Sequence, residues 1–222
     1  MSKPAEPKKI IATDQQEKII DEKMNFHFGI TTRVNLIDYD LLCLMKKAGL
    51  SHVDLGIETG SPNMLKLIDK DINQQQIIAA AKLCRKMDID WNAFIMIGFP
   101  DETEEDIKKT FRLIKRIKPH NICLSIFTPY PGTKLYERAK ELALIPDHVD
   151  WSKFSHQSPE NHFVKNIPKD IFKKLVASSA SKIDKINELN YRNRLLKVRI
   201  ISATKHPLRS LKKIFLLLRQ FL

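Results

Sequence analysis

The chain has 222 residues, 38 Lys or Arg against 26 Asp or Glu, a formal net charge of +12, and 43% hydrophobic residues. This is enough apolar content for one α/β domain with a tail or two small domains, and too much for a disordered chain. An odd set of three cysteines in separate apolar runs (Cys43, Cys84, Cys123) argues against a disulfide scaffold.

Without a signal-peptide pattern, that cysteine usage leads to the expectation of a cytoplasmic protein, each thiol a small buried hydrophobe. No run of about 18 apolar residues exists, so no membrane span is expected. The charge is uneven. Residues 165–222 hold 15 Lys or Arg and three acids, which leaves 23 of each sign in the first 164.

Residues 1–23 read as a lead, with a helix over Asp14 to Lys23. Phe26, Phe28 and Ile30 alternate, which predicts a strand with one buried face, ending at Thr31-Thr32-Arg33. Asp38 caps a helix carrying Leu41, Leu42, Met45 and Ala48, and Gly49 stops it. Val53, Leu55 and Ile57 form a second strand that runs into Glu58-Thr59-Gly60-Ser61-Pro62. There Ser61 is a cap and Pro62 the first residue of a helix.

A helix over Gln74 to Met87 precedes the apolar strand Ala93 to Phe99, which breaks at Gly98 and Pro100. Thr103 and Asp106 make a variant capping box, and the acids between Asp101 and Asp106 favour the start of a helix striped by Ile107, Phe111, Ile114 and Ile117. Lys118-Pro119-His120 ends it. A fourth strand, Ile122 to Phe127, leads through Thr128-Pro129-Tyr130-Pro131-Gly132-Thr133 to a helix over Lys134 to Leu142. Strand and helix alternate four times, which predicts parallel strands with right-handed crossovers.

Beyond this unit, residues 146–205 read as a loop-rich and helical extension, with a helix over Pro168 to Leu189. Residues 206–222 read as a basic amphipathic helix, with Leu208, Leu211, Phe215, Leu218 and Leu222 on one face and Arg209, Lys212 and Lys213 on another. Anionic membrane contact, nucleic acid and packing on a protein are its three readings, and the first is preferred because aromatic interleaving is lacking. The seven histidines show no metal-ligand spacing, so surface roles are expected. Trp91 and Trp151 read as packing residues.

Parallel strands deliver their C-terminal ends to one rim, so Thr32-Arg33, Glu58-Thr59, Gly98 to Glu102 and Thr128-Pro129-Tyr130 converge. Glu58 is suited to accept from hydroxyls or an amine, and Arg33 to clamp a carboxylate. A Glu58 to Arg33 ion pair, or helix capping by Glu58, is the plainer alternative.

Five ordered blocks carry a family likeness: Thr32 to Asn35, Leu41 to Gly49, Gly56 to Ser61, Met96 to Asp106 and Thr128 to Thr133. Together they resemble the second half of a radical S-adenosylmethionine domain over residues 24–145, nearest to the subgroup with a cobalamin-binding domain. The resemblance implies an incomplete TIM-like barrel whose strand ends hold a [4Fe–4S] cluster and S-adenosylmethionine, with cobalamin in the complete enzyme. It further implies reductive cleavage of S-adenosylmethionine to a carbon radical, followed by methyl transfer or another change at an unreactive carbon.

The cofactor contacts it implies are Arg33, Glu58, Thr59, Gly98, Phe99, Pro100, Thr128, Pro129 and Tyr130; no catalytic residue is assigned. Asp101 stands where the family leads one to expect glycine. The family's Cys-x3-Cys-x2-Cys motif is not in this sequence. The expectation is therefore a chain whose cluster ligands come from a separate N-terminal half or partner protein; a silent remnant or binding module on the same scaffold is the alternative.

Overall fold

The structure, a computed structural model, describes residues 14, 16–22, 24, 25, 27–146, 150, 158 and 160–205. The expected basic helix at 206–222, Phe26, Trp151, and the histidines at 148, 156 and 206 lie outside the described residues.

Four strands form one sheet: β1 (Phe28–Arg33), β2 (Leu50–Glu58), β3 (Asp90–Ile97) and β4 (Asn121–Ile126). All neighbours are parallel and the order follows the chain, β1-β2-β3-β4. That sequential order is what right-handed crossovers of one sense produce, and the described strands form an open sheet, the expected incomplete barrel.

Alternation in sequence decides the faces. Leu55, Ala93 and Ile122 share one register row and are buried under helices. The opposite face is polar: Asn92 Nδ2 donates to Asp54 Oδ1 at 2.6 Å, and Thr31 donates to Asp54 Oδ2 at 3.4 Å.

The connecting helices are α1 (Tyr39–Lys47), α2 (Pro62–Leu67), α3 (Gln74–Lys86), α4 (Glu104–Ile117) and α5 (Lys134–Glu141). Their starts follow the expected caps. Asp38 Oδ1 accepts from Leu41 N at 2.9 Å, and Ser61 caps α2 with Pro62 in the first turn. Thr103 and Asp106 form both arms of a capping box, and Asn73 with Gln76 forms another on α3. Lys118 closes α4 in the left-handed region.

Helix α6 (Lys169–Lys205) corrects the expected end at Leu189 by running 16 residues further. No Gly or Pro occurs between Lys169 and Lys205, so nothing local stops it; the first breaker is Pro207. Its N-terminal part supplies Phe172 and Val176 to a core with Ile97, Ile107, Ile126, Val164 and Ile167. The chain divides into two compact units, Met1–Ile183 and Asp184–Leu222. Among the described residues, no helix is long and apolar enough to cross a membrane.

Candidate functional site

At the C-terminal ends of β2, β3 and β4 lies a cavity of about 340 Å³ lined by Glu58, Ile68, Lys70, Met96, Phe99, Phe127, Thr128, Tyr130, Thr133 and Leu135. That volume falls in the range of small-molecule sites. Its apolar wall is set by Met96 and by Phe99 and Phe127, whose rings lie 5.5 Å apart and tilted by 40°. Met64 and Phe163 pack behind this pair.

Glu58 supplies the polar end. A register shift after Gly56 breaks the ladder with β3, and Glu58 takes a left-handed φ of 62°. Such a conformation in a non-glycine residue costs about 1–3 kcal/mol and clusters at binding sites. The carboxylate meets Lys70 Nζ at 2.5 Å, with both side chains about a fifth exposed. The expected Glu58 to Arg33 alternative is therefore replaced by a pair with Lys70. Arg33 is exposed at the end of β1 and is not among the cavity's lining residues.

The turn after β3 is built by hydrogen bonds. Glu102 N donates to Phe99 O at 3.0 Å and closes it, even though Asp101 stands at the position expected to be glycine. Arg138 on α5 grips the Asp101 carboxylate through Nε at 2.9 Å and Nη2 at 2.7 Å, and this hydrogen-bonded guanidinium holds the acid below its ordinary pKa. Pro100 O accepts from Lys165 N at 2.9 Å.

Sequence reasoning assigned Glu102 to the helix start. The structure corrects this: its side chain is fully buried and turns back, so that Oε2 accepts from Gly98 N at 2.5 Å. Burial pushes its pKa up to about 8 against the backbone N–H groups of Gly98 and Phe99, which pull it down. The signal was present, since Thr103 and Asp106 already complete the cap and leave Glu102 without that task.

Four predicted residues support the site rather than line it. Thr59 is fully buried, 3.1 Å from Thr110 Oγ1, and holds Ser61 N. Gly98 and Pro100 are buried in the turn, and Pro129 is buried while its neighbour Tyr130 is exposed. Thr110 on α4 also accepts from Gly60 N at 2.8 Å, where a Cβ on Gly60 would meet the Thr110 backbone at 2.6 Å. Thr110→Val is expected to leave Gly60 N–H buried and unpaired and to cost about 1–3 kcal/mol. Chemical denaturation of the variant measures it.

Sequence reasoning did not assign Met96 and Phe127 of the apolar wall to the site, and it missed two polar residues as well. Lys70 sits in an acidic-basic run that reads as a solvated face, and only folding returns it to Glu58. Asn161, from the loop-rich extension, donates to Thr128 Oγ1 at 2.8 Å with both residues buried. His162 is half-buried rather than on the surface, with Nε2 2.7 Å from Ile167 O.

The cysteines stand on three elements. Cys84 on α3 is buried, which pushes its thiol up to about 11; Cys123 on β4 is raised by burial and then by Asp54. Cys43 and Cys123 are half-buried, which corrects the expectation that all three are core. Among the described residues no group of three or more His, Cys, Asp or Glu is placed to hold a metal ion.

The family model described as Radical SAM superfamily matches residues 6–114. An uncharacterized methyltransferase of Pyrococcus horikoshii is 34% identical over 148 residues, covering 67% of this chain and 32% of that protein. The anaerobic magnesium-protoporphyrin IX monomethyl ester cyclase of Cereibacter sphaeroides is 31% identical over 134 residues, 60% of this chain and 21% of the relative. The chain thus spans a third or less of the length of these curated relatives.

Two solved structures share the fold. One is the radical S-adenosylmethionine methyltransferase TsrM from Kitasatospora setae with cobalamin and a [4Fe–4S] cluster bound (TM-score 0.53, 17% identity, 59% of this chain and 26% of that one). The other is coproporphyrinogen III oxidase from Escherichia coli (TM-score 0.53, 16% identity, 76% of this chain and 37% of that one). Residues 6–114, just under half of the chain, thus match the radical S-adenosylmethionine superfamily, and the parallel strand order and the cavity at the strand ends accord with that match.

Proposed function

We propose that this chain is the S-adenosylmethionine-binding portion of a radical enzyme, and that the cavity beside Glu58 takes the adenosyl part of the cofactor. The observation that carries this reading is the composition of the cavity: an apolar wall of Met96, Phe99 and Phe127 beside one carboxylate, Glu58. An adenine ring needs a flat apolar wall, and ribose hydroxyls or an α-amine need an acceptor. Lys70 is placed to attract a carboxylate once Glu58 turns to the ligand. When bound and reduced, S-adenosylmethionine supplies a carbon radical, with methyl transfer among the outcomes.

The chain's own donors do not fit a [4Fe–4S] cluster. Cluster ligation takes thiolates gathered on one loop, and here one thiol is buried in α3 and protonated while the others stand on α1 and β4. We infer that the three cysteines come from polypeptide outside residues 1–222, in the reducing cytoplasm. The basic 206–222 segment then holds the protein at the anionic inner face of the membrane. A binding module without radical chemistry is the second reading, favoured by that same donor set.

Equilibrium binding of S-adenosylhomocysteine tests the site. Glu58→Gln, and separately Phe99→Ala, are expected to weaken binding about tenfold, which corresponds to about 1.4 kcal/mol. Unchanged affinity in both variants defeats the assignment. Supplying the cysteine-bearing polypeptide and assaying 5′-deoxyadenosine separates the two readings, since a binding module forms none.

A further inference from the structure

The second unit, Asp184–Leu222, carries most of the protein's charge: ten Lys or Arg against Asp184 and Glu188, a net +8 of the total +12. Within it, the distal part of α6 exposes large aliphatic side chains to an unusual degree. Leu189 is 57% exposed, Leu196 53% and Ile200 62%. At 100° per residue, these three and Ile186 fall in one row along the helix.

Cations flank that row on both sides. Lys185, Arg192 and Arg199, spaced by seven, form a column on one side; Lys197 and Arg194 lie on the other, with Arg194 stacked 5.9 Å from the Tyr191 ring. After Glu188 no acidic residue follows in the chain.

From this arrangement we infer that the Asp184–Lys205 part of α6 is itself a docking surface for an anionic lipid bilayer, lying in the headgroup plane. Leu189, Leu196 and Ile200 enter the acyl boundary, and the two cationic columns reach the headgroups with their apolar stems laid along the same boundary. The inference rests on the membrane reading of the 206–222 segment and deepens it by adding a second, separate contact.

Charge complementarity selects the occupant. A second copy of the helix would set cation against cation on both sides of the aliphatic row. Nucleic acid would satisfy the cations and leave the aliphatic row in water, because aliphatic side chains offer no stacking face. An anionic bilayer satisfies both. The shorter row on the opposite side, Tyr191, Leu195 and Val198, faces away from that surface.

Co-sedimentation of the full chain with phosphatidylcholine vesicles containing one third phosphatidylglycerol tests the inference, alongside vesicles of phosphatidylcholine alone. The variants are Lys185→Ser with Arg192→Ser and Arg199→Ser; Leu189→Ser with Leu196→Ser and Ile200→Ser; and Arg209→Ser with Lys212→Ser and Lys213→Ser. Neutralising the first set is expected to lower partition onto anionic vesicles about a hundredfold, from about 1 kcal/mol per basic residue. The aliphatic set is expected to lower it at both low and high salt, with helix content unchanged by circular dichroism.

If only the 209, 212, 213 variant loses binding, this inference falls while the membrane reading of the tail stands. Absence of binding by the unaltered chain defeats both. An aliphatic variant that alters sedimentation velocity of the lipid-free protein and leaves vesicle binding intact identifies a second copy as the occupant and overturns the inference. Tighter binding of a homopolymeric RNA than of the vesicles, lost in the first set alone, overturns it as well.

Discussion

Glu102→Ala is expected to destabilise the first unit by about 2–4 kcal/mol, because the buried N–H groups of Gly98 and Phe99 lose their common acceptor. The loss falls on the turn that carries Phe99, so ligand binding should weaken along with stability. The unaltered protein should also show an unusual pH dependence. Glu102 keeps its proton up to about pH 8 in the folded state, whereas the unfolded chain releases it near 4.5.

Between those values the folded state therefore binds more protons, and stability falls as pH rises, by up to about 1.4 kcal/mol per pH unit from this group. Below about 4.5 the contribution is fully present. Other shifted carboxylates act elsewhere: Asp101, Asp106, Glu105, Asp69 and Glu160 are all lowered, so their effects appear under more acidic conditions. Urea denaturation from pH 5 to 8 measures the slope. Glu102→Gln keeps an oxygen for Gly98 N–H and should flatten it; a slope that persists in the Gln variant would assign the effect to another group. The second oxygen, Oε1, has no partner among the described residues, which explains why burial outweighs the backbone donors.

Gly98→Ala is expected to cost about 2–6 kcal/mol, the sum of backbone strain and overpacking. Its φ of 93° is one that L side chains rarely adopt, and the added Cβ would stand 2.7 Å from Phe172 Cζ. Phe172 is fully buried among Ile97, Ile107, Ile126, Val164 and Ile167 and has nowhere to retreat. A fall in Tm on the order of 10 °C should follow. Combining Gly98→Ala with Phe172→Leu separates the causes, since the smaller side chain relieves the overlap and leaves the backbone strain. A Gly98→Ala protein as stable as the parent would mean that the turn does not hold this conformation in solution. Because Phe172 belongs to α6, this contact also ties the site to the extension and not only to the barrel strands.

Alternating apolar residues, caps and breakers fixed the strands and most helices directly from sequence. Val53, Leu55 and Ile57 could only alternate as a half-buried strand, Ser61-Pro62 could only open a helix, and Gly98-Phe99-Pro100 could only end a strand. These are local effects, decided by residues within a few positions of one another. The rim at the C-terminal ends of the strands followed from them, because parallel strands place those ends together. Glu58, Phe99, Thr128 and Tyr130 accordingly meet in one cavity.

Tertiary structure decided the rest, for reasons of reach and burial. Lys70 joins Glu58 across 12 positions of chain and Asn161 joins Thr128 across 33, distances at which no local spacing rule applies. Arg33 is well placed in sequence and yet exposed at the edge strand. The acidic run before α4 looked uniform as letters. Folding divided it, sending Glu105 to the surface with Arg112, Asp106 to Ser61 and Thr103, and Glu102 into the interior beneath Gly98. Each carboxylate then acquired the pKa of its surroundings, which only packing sets. Sequence determined where the chain bends and which face of each strand is apolar; the tertiary structure alone decided which polar groups are cut off from water, and hence which hold the site together.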